Sequence, residues 1–489
     1  MTPLSDSELN ALSKTQQLQV ADKLLTTLFF AYPHTTVEAM LEKGNFLKSV
    51  EKDLTTLRNN TAAVENAILD ERKIYRPRYH KETVDILSRF YLAKKLDRYY
   101  FNNWMAYILT QTIMFSPAYE LDSSHNPDVA SVYNRLVTML NDESTMQYIT
   151  YVHMSSEDNW RRFRSPEDNG REMLEIFTFD TNDKDVPIAA TALKNWALDR
   201  DSDTLVVGLN ANTKPLKLFG TTIYNGDDFY RELVKSKGYQ IGVIKRLVAF
   251  FFTDESEKKQ ADIVQKILAS HPQTFKDILA QIVFSKEYLL HTERAKSAEE
   301  LFYSFAKKTN FQIQRGTIAD FTNALEAMHQ AAMKYKLGKL ERVPLDTLSF
   351  ANYNKYVREQ LLLRRSNPER KNDYTSWARQ GWSDSFIARE KYGYVEGDAK
   401  ASLEHLIHYL FVSLVQRDVT PDELAMFENF MITKDDEGVK NIGHLYDLTD
   451  NRVRSNGELR GQEHARYVTM IVLDYISRLE DTFLLKKVK

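Results

Sequence analysis

The sequence predicts a mostly α-helical, multi-helical globular protein with at most a small β-hairpin near residues 204–224. Three observations carry this expectation. Apolar side chains make up 43% of the 489 residues, enough for a sizeable core. Apolar positions recur three and four residues apart through most windows, the spacing of amphipathic helices. Only 16 glycines and 12 prolines punctuate the chain, so few positions force a helix to stop.

Taken in chain order, the spacing predicts helices over 6–30, 46–71, 80–115, 128–153, 166–179 and 185–198. It continues with 227–235, 241–252, 257–269, 272–290, 298–307 and 318–336, then 352–364, 403–415, 421–430 and 463–485. Thr204 to Leu209 and Leu216 to Tyr224 alternate or carry β-branched residues beside turn signals, and are expected to pair as the hairpin. Arg364 to Asp384 is polar, with Asn367-Pro368 and Gly381, and reads as a long surface connection. The expected segmentation is an N-terminal helical region (1–99), a helical core (100–310), helices with the polar loop (311–397) and a C-terminal helical region (398–489). No fixed-period repeat stands out, which disfavours solenoids.

Composition excludes several functions. Sixty-five basic against sixty-eight acidic residues leave a net charge of -3, so no overall field attracts nucleic acid or anionic lipid. The longest apolar stretches, Leu247–Phe252 and Met105–Phe115, fall short of the ~20 residues of a membrane span. Cysteine is absent, which removes disulfides, thiol nucleophiles and cysteine metal sites. The first residues, Met-Thr-Pro-Leu-Ser-Asp-Ser, hold no basic region followed by an apolar one, so either the protein stays inside the cell or an export signal has been removed. Glycine-rich phosphate loops, dinucleotide fingerprints, nucleophile elbows and His-Glu-x-x-His helices are also missing.

The most informative segment is Pro166 to Phe179. Ser165 is a natural N-cap, Pro166 opens the helix, and early acids suit its positive end. Glu167, Arg171 and Glu175 stack on one face, while Met173, Leu174, Ile176, Phe177 and Phe179 cover much of the rest. Glu172 then falls between Ile176 and Phe179, where a carboxylate must find a partner or shift its pKa upward. The ordinary reading is a structural ion-pair network; the functional one makes these residues a catalytic acid and its helpers.

This segment resembles the bacterial domain of unknown function 1800 family, matching its pattern at Glu167, Arg171, Glu172, Leu174, Glu175 and Thr178. Asp142 to Ile149, Asp185 through Ala190, Ala192, Leu193 and Trp196, and Lys217-Leu218-Phe219-Gly220 are similar to further family stretches in the same order. The resemblance covers about residues 100–390. The chain departs from the pattern at Pro166, Asp168, Asp180, Thr191 and Asn195, and has Phe115 to His125 where the family carries a histidine-rich stretch, so it looks like a divergent member. The resemblance implies a helical protein, usually exported across the bacterial inner membrane, with no established activity.

Other candidates are weaker. Asp199, Asp201 and Asp203 alternate like the start of a calcium loop, but Thr204 stands where the loop needs glycine and Asn210 where it needs glutamate. The ordinary reading is a solvated turn, and calcium is the only cofactor the sequence suggests. Asp180, Asn182, Asp183 and Asp185 also fail the pattern. His405 and His408, beside Glu404, sit at helical spacing but need a third ligand to hold a metal. His125 and His153 are lone histidines. Trp377, Arg379 and Trp382 put aromatic rings and a guanidinium in polar surroundings, the chemistry of glycan stacking or protein hot spots; the alternative is that the rings tuck into the core. Trp196 joins them as a candidate binding residue. The leading expectation is an extracytoplasmic protein, periplasmic or secreted, that acts by binding or assembly with another exported protein or a glycan. The runners-up are a metal-assisted hydrolase using Glu167, Arg171, Glu172 and Glu175, and a glycan-binding protein using the tryptophans.

Overall fold

A computed structural model describes residues 1–56, 79–114, 129–178, 183–199, 201–202, 204–328, 330, 332, 347–357, 382–432 and 447–488. The described chain is mostly helical, with short two-stranded sheets. Trp377, Arg379, Asp203, Asp180, Asn182, His125 and most of the polar 364–384 connection lie outside the described residues.

The chain opens with α1 (Asp6–Asn10), α2 (Lys14–Phe29), α3 (His34–Leu41) and α4 (Phe46–Asp53). The predicted 6–30 helix is divided at Ser13, whose hydroxyl accepts from the Gln16 N–H while the Gln16 side chain accepts from the Ser13 N–H. Such a reciprocal cap starts a new helix even where apolar spacing continues. α5 (Tyr79–Tyr91), α6 (Arg98–Thr112), α7 (Val129–Asn141) and α8 (Met146–Met154) follow. Capping side chains again split single predicted helices: Asp97 accepts from the Tyr100 N–H at 2.8 Å, and Thr145 from the Tyr148 N–H at 3.2 Å. Next come α9 (Glu157–Arg162), too short for periodicity to register, α10 (Pro166–Thr178) and α11 (Val186–Leu193). Ser165 caps α10 as expected, accepting from the Asp168 N–H at 3.1 Å.

The strands differ from expectation. The 185–198 helix stops at Leu193, and β1 (Trp196–Leu198) pairs antiparallel with β2 (Leu205–Val207). β3 (Leu216–Leu218) pairs with β4 (Thr221–Ile223). The expected pairing of 204–209 with 216–224 is therefore corrected to two separate hairpins. Phe219 and Gly220 connect β3 to β4 with φ of 51° and 76°, the double left-handed turn that closes a two-residue hairpin.

The remaining helices are α12 (Gly226–Lys235), α13 (Lys237–Phe251), α14 (Glu257–Leu268), α15 (Phe275–Val283), α16 (Lys286–Leu289), α17 (Ala298–Lys308) and α18 (Arg315–Ala327). They continue with α19 (Thr347–Val357), α20 (Arg389–Tyr392), α21 (Ala399–Val415), α22 (Pro421–Ile432), α23 (Arg460–Ile476) and α24 (Glu480–Phe483). No described helix is long and apolar enough to cross a membrane.

Two compact units interleave along the chain: residues 1–4, 49–294 and 318–344 form one, and 5–48, 295–317 and 345–489 the other. In the first, α10 packs on α11 and α13. Gly170 sets the α10–α11 separation, since a Cβ there would lie 2.9 Å from the Ala189 Cβ. The second unit packs α21 on α23, with Phe411, Phe427 and Tyr475 in mutual ring contact. Two adjacent lysines finish its helices: Lys307 donates to the Phe29 carbonyl at 2.8 Å, and Lys308 to the Leu414 carbonyl at 3.0 Å. Both carbonyls belong to last turns, whose unpaired acceptors the lysines fill; burial lowers the Lys307 pKa well below its ordinary value. Lys308 also pairs with Asp22 at 2.6 Å, so its buried charge is compensated.

Candidate functional site

Packing alone does not explain the β1–β2 hairpin of the first unit. Trp196 anchors it. Its ring, 8% exposed, stacks near-parallel on Trp160 at 6.0 Å and meets Tyr230 edge-on at 5.5 Å. Beneath it the Trp160 Nε1 donates to the Tyr230 hydroxyl at 3.1 Å, and that hydroxyl donates to Asn169 Oδ1 at 2.7 Å. Burial pushes the Tyr230 phenol well above its ordinary pKa, so it stays a neutral donor. The polar tips of Trp160 and Tyr230 are thus partnered within the cluster, which is the condition for burying them.

The rest of the hairpin faces outward. The Asp199 N–H donates to the Thr204 carbonyl at 2.8 Å, and the Gly208 N–H to the Asn195 carbonyl at 2.7 Å. In antiparallel pairing these bonds alternate, so the backbone groups of Leu205 and Val207 point away from β1. The outward Leu205 N–H is held by Glu157 at 3.3 Å. Val206 is 46% and Val207 54% exposed, Leu209 is fully exposed, and Tyr224 at the end of β4 is exposed as well. Asn212 fastens the connection between the hairpins, donating to the carbonyls of Lys214 and Tyr224 at 2.5 and 3.0 Å.

A buried charged cluster supports the same element. Asp158 accepts from Arg135 at 2.9 Å and from Arg161 at 3.0 Å, and Arg161 continues to Glu157 at 3.2 Å, the residue that holds β2. His153, 1% exposed, lies beside this cluster. Burial, reinforced by the Arg135 and Arg162 charges, holds its imidazole down to about 3, so it is neutral at physiological pH.

The residues singled out from sequence are placed as follows. Glu167 and Arg171 are exposed on α10, 3.8 Å apart, and Arg171 also reaches Asp183 at 3.2 Å. Glu172 and Glu175 are half-buried. Burial lowers the Arg246 guanidinium of α13 to about 10, against which the Glu175 charge acts. Thus Glu175 faces a structural cation, while Glu167 and Arg171 form a solvated pair. Asp199 Oδ1 accepts from the Asp201 N–H at 3.1 Å and from the Ser202 N–H and hydroxyl, both at 2.8 Å. Those Ser202 bonds lower its pKa; the carboxylate closes its own turn. Among the described residues no three His, Asp or Glu side chains are grouped to hold a metal. His405 Nδ1 donates to the Gly393 carbonyl at 2.6 Å, whereas His408 lies 3.8 Å from Asp418. Trp382 is 3% exposed and meets Phe311 edge-on at 5.2 Å, which places its ring in the core of the second unit.

Sequence reasoning found Trp196 and the acids of the β1–β2 turn but missed Val206, Val207 and Leu209. Their signal was present as an apolar, uncharged Leu205-Val206-Val207 run; what hid it was the expected pairing with 216–224. No family model matches the chain, and neither a curated protein nor a solved structure matches it.

Proposed function

We propose that the protein acts by binding, and that β2 is the docking edge for an extended segment of a protein partner. The observation that carries this reading is a strand edge open at its Val207 end, where Glu157 does not reach, with exposed Val206 and Val207 on a hairpin anchored by Trp196. Strand addition draws affinity from main-chain hydrogen bonds and selectivity from alternate side chains. Edges without a partner are ordinarily blunted by charge, proline or a bulge, and Leu205-Val206-Val207 has neither charge nor proline. The acidic α10 supports catalysis less well, because Glu167 and Arg171 are solvated and Glu175 faces Arg246. The family resemblance and the lack of cysteine favour a bacterial, extracytoplasmic setting and hence an exported partner, which cell fractionation checks.

A photo-crosslinking residue placed at Val207 in host cells is expected to give one discrete protein adduct. Val206→Lys should abolish that adduct while changing stability by no more than about 0.5 kcal/mol, as for an exposed position. The same adduct from a probe at the exposed Val453, or no adduct from Val207, would rule out this edge.

A further inference from the structure

Independently of the hairpin, the first unit contains a cleft of about 220 Å³ lined by α6, the end of α7 and the start of α15. By the ~30 Å³ share of a liquid water it holds about seven water-sized volumes, the scale of a small metabolite. Arg98, Asn102 and Met105 stand at successive turns of α6 and supply one wall, as i, i+4, i+7 spacing allows. Met105 and Leu140, both buried, form an apolar floor.

The charged rim is specific. Arg98 donates to the Asn141 carbonyl at 2.5 Å and faces Glu143 at 3.5 Å, a loose ion pair whose acid is largely solvated. Lys276 lines the cleft without a described hydrogen bond or ion pair. Asp277 is spent on the N–H groups of Gln273 and Thr274, at 3.0 and 2.9 Å. That capping box also completes the α15 terminus, so the terminus is not the binding device. Glu143 sits at φ 54°, in the left-handed C-terminal turn of α7 that glycine ordinarily fills. The Glu143 and Ser144 N–H groups close that turn on the Leu140 and Met139 carbonyls, at 3.2 and 3.0 Å. This backbone carries the carboxylate over the cleft beside Arg98.

We infer that this cleft binds a small zwitterion with an apolar arm, an aliphatic α-amino acid. Its carboxylate would lie between Arg98 and Lys276, its ammonium on Glu143, and its side chain on Met105 and Leu140. Charge balance selects this class. Two cations and a carboxylate beside an apolar floor match a molecule that carries an anion, a cation and an aliphatic arm.

The test is calorimetric titration of the full chain with L-leucine, 4-methylpentanoate, which lacks the amine, and 3-methylbutylamine, which lacks the carboxylate. Leucine is expected to bind at least about tenfold more tightly than either analogue. Lys276→Gln should weaken leucine about tenfold, one charge-assisted contact at the usual exchange of 1.4 kcal/mol per decade. Glu143→Gly removes the carboxylate and suits the left-handed backbone, so it should fold normally and bind leucine no better than 4-methylpentanoate. No binding of leucine at about 10 mM, where even millimolar affinity is visible, overturns the inference. Equal binding of 4-methylpentanoate by the unaltered chain overturns it too, leaving a plain anion cleft.

Discussion

Acidification is expected to cost the folded state about 1.4 kcal/mol per pH unit below about pH 6.5 through one buried imidazole. His153 is held near a pKa of about 3 by burial and by the neighbouring Arg135 and Arg162 charges, against 6.5 when freely solvated. Between those values the unfolded chain binds a proton that the folded chain refuses. Stability therefore rises with pH across this window, is fully present above about 6.5, and falls as pH drops toward 3. From pH 6.5 to 4.5 the loss amounts to about 2–3 kcal/mol, a large part of the margin of an ordinary domain. Burial also lowers the His34 pKa, which adds a loss of the same sign. Carboxylates enter later: the Arg417 guanidinium holds Glu423 at about 2, so its contribution fades only below the ordinary carboxylate range. Denaturant unfolding of the unaltered chain and of His153→Leu at pH 7, 5.5 and 4.5 isolates the effect. The variant should lose less stability than the parent at each step, and equal slopes would mean that His153 takes up its proton inside the fold.

His153 shows what a sequence can and cannot disclose. It was visible as a lone histidine, but its environment depends on Arg135, eighteen residues upstream, and on the charged pairs of α9. Single elements were more legible. The bounds of α10 followed from Ser165, Pro166 and its apolar face, because a cap and an amphipathic stripe are local signals. Ser13, Asp97 and Thr145 are equally local caps, yet each interrupts a run whose apolar spacing continues, so periodicity read across them. β1 was hidden for a related reason: Trp196 and Leu198 prolong the apolar pattern of α11, and only the cluster with Trp160 and Tyr230 turns that stretch into a strand. The cleft was illegible throughout, since Arg98, Glu143 and Lys276 carry no motif and meet only through tertiary packing.

Gly226→Ala is the substitution expected to test the hairpin anchor most directly. Gly226 is the first residue of α12, after the N-cap Asn225. Removing glycine from a helix ordinarily stabilises by about 0.4–1 kcal/mol, by reducing the freedom of the unfolded chain. Here the new methyl would sit 2.6 Å from Trp196 Nε1 and 2.7 Å from Leu193 Cδ2. The indole is backed by Trp160 and bordered by Tyr230, so it has no easy retreat. Overpacking a filled core costs about 1–3 kcal/mol, which outweighs the backbone gain. Net destabilisation is expected, together with a changed tryptophan fluorescence and loss of the adduct formed through Val207. Gly316→Ala is the matching control. It lies in the first turn of α18 and a methyl there meets nothing within 4 Å, so it should stabilise by the ordinary few tenths to 1 kcal/mol. If both alanines stabilise alike, Trp196 is held loosely, and a loosely held hairpin is a poor template for a partner strand.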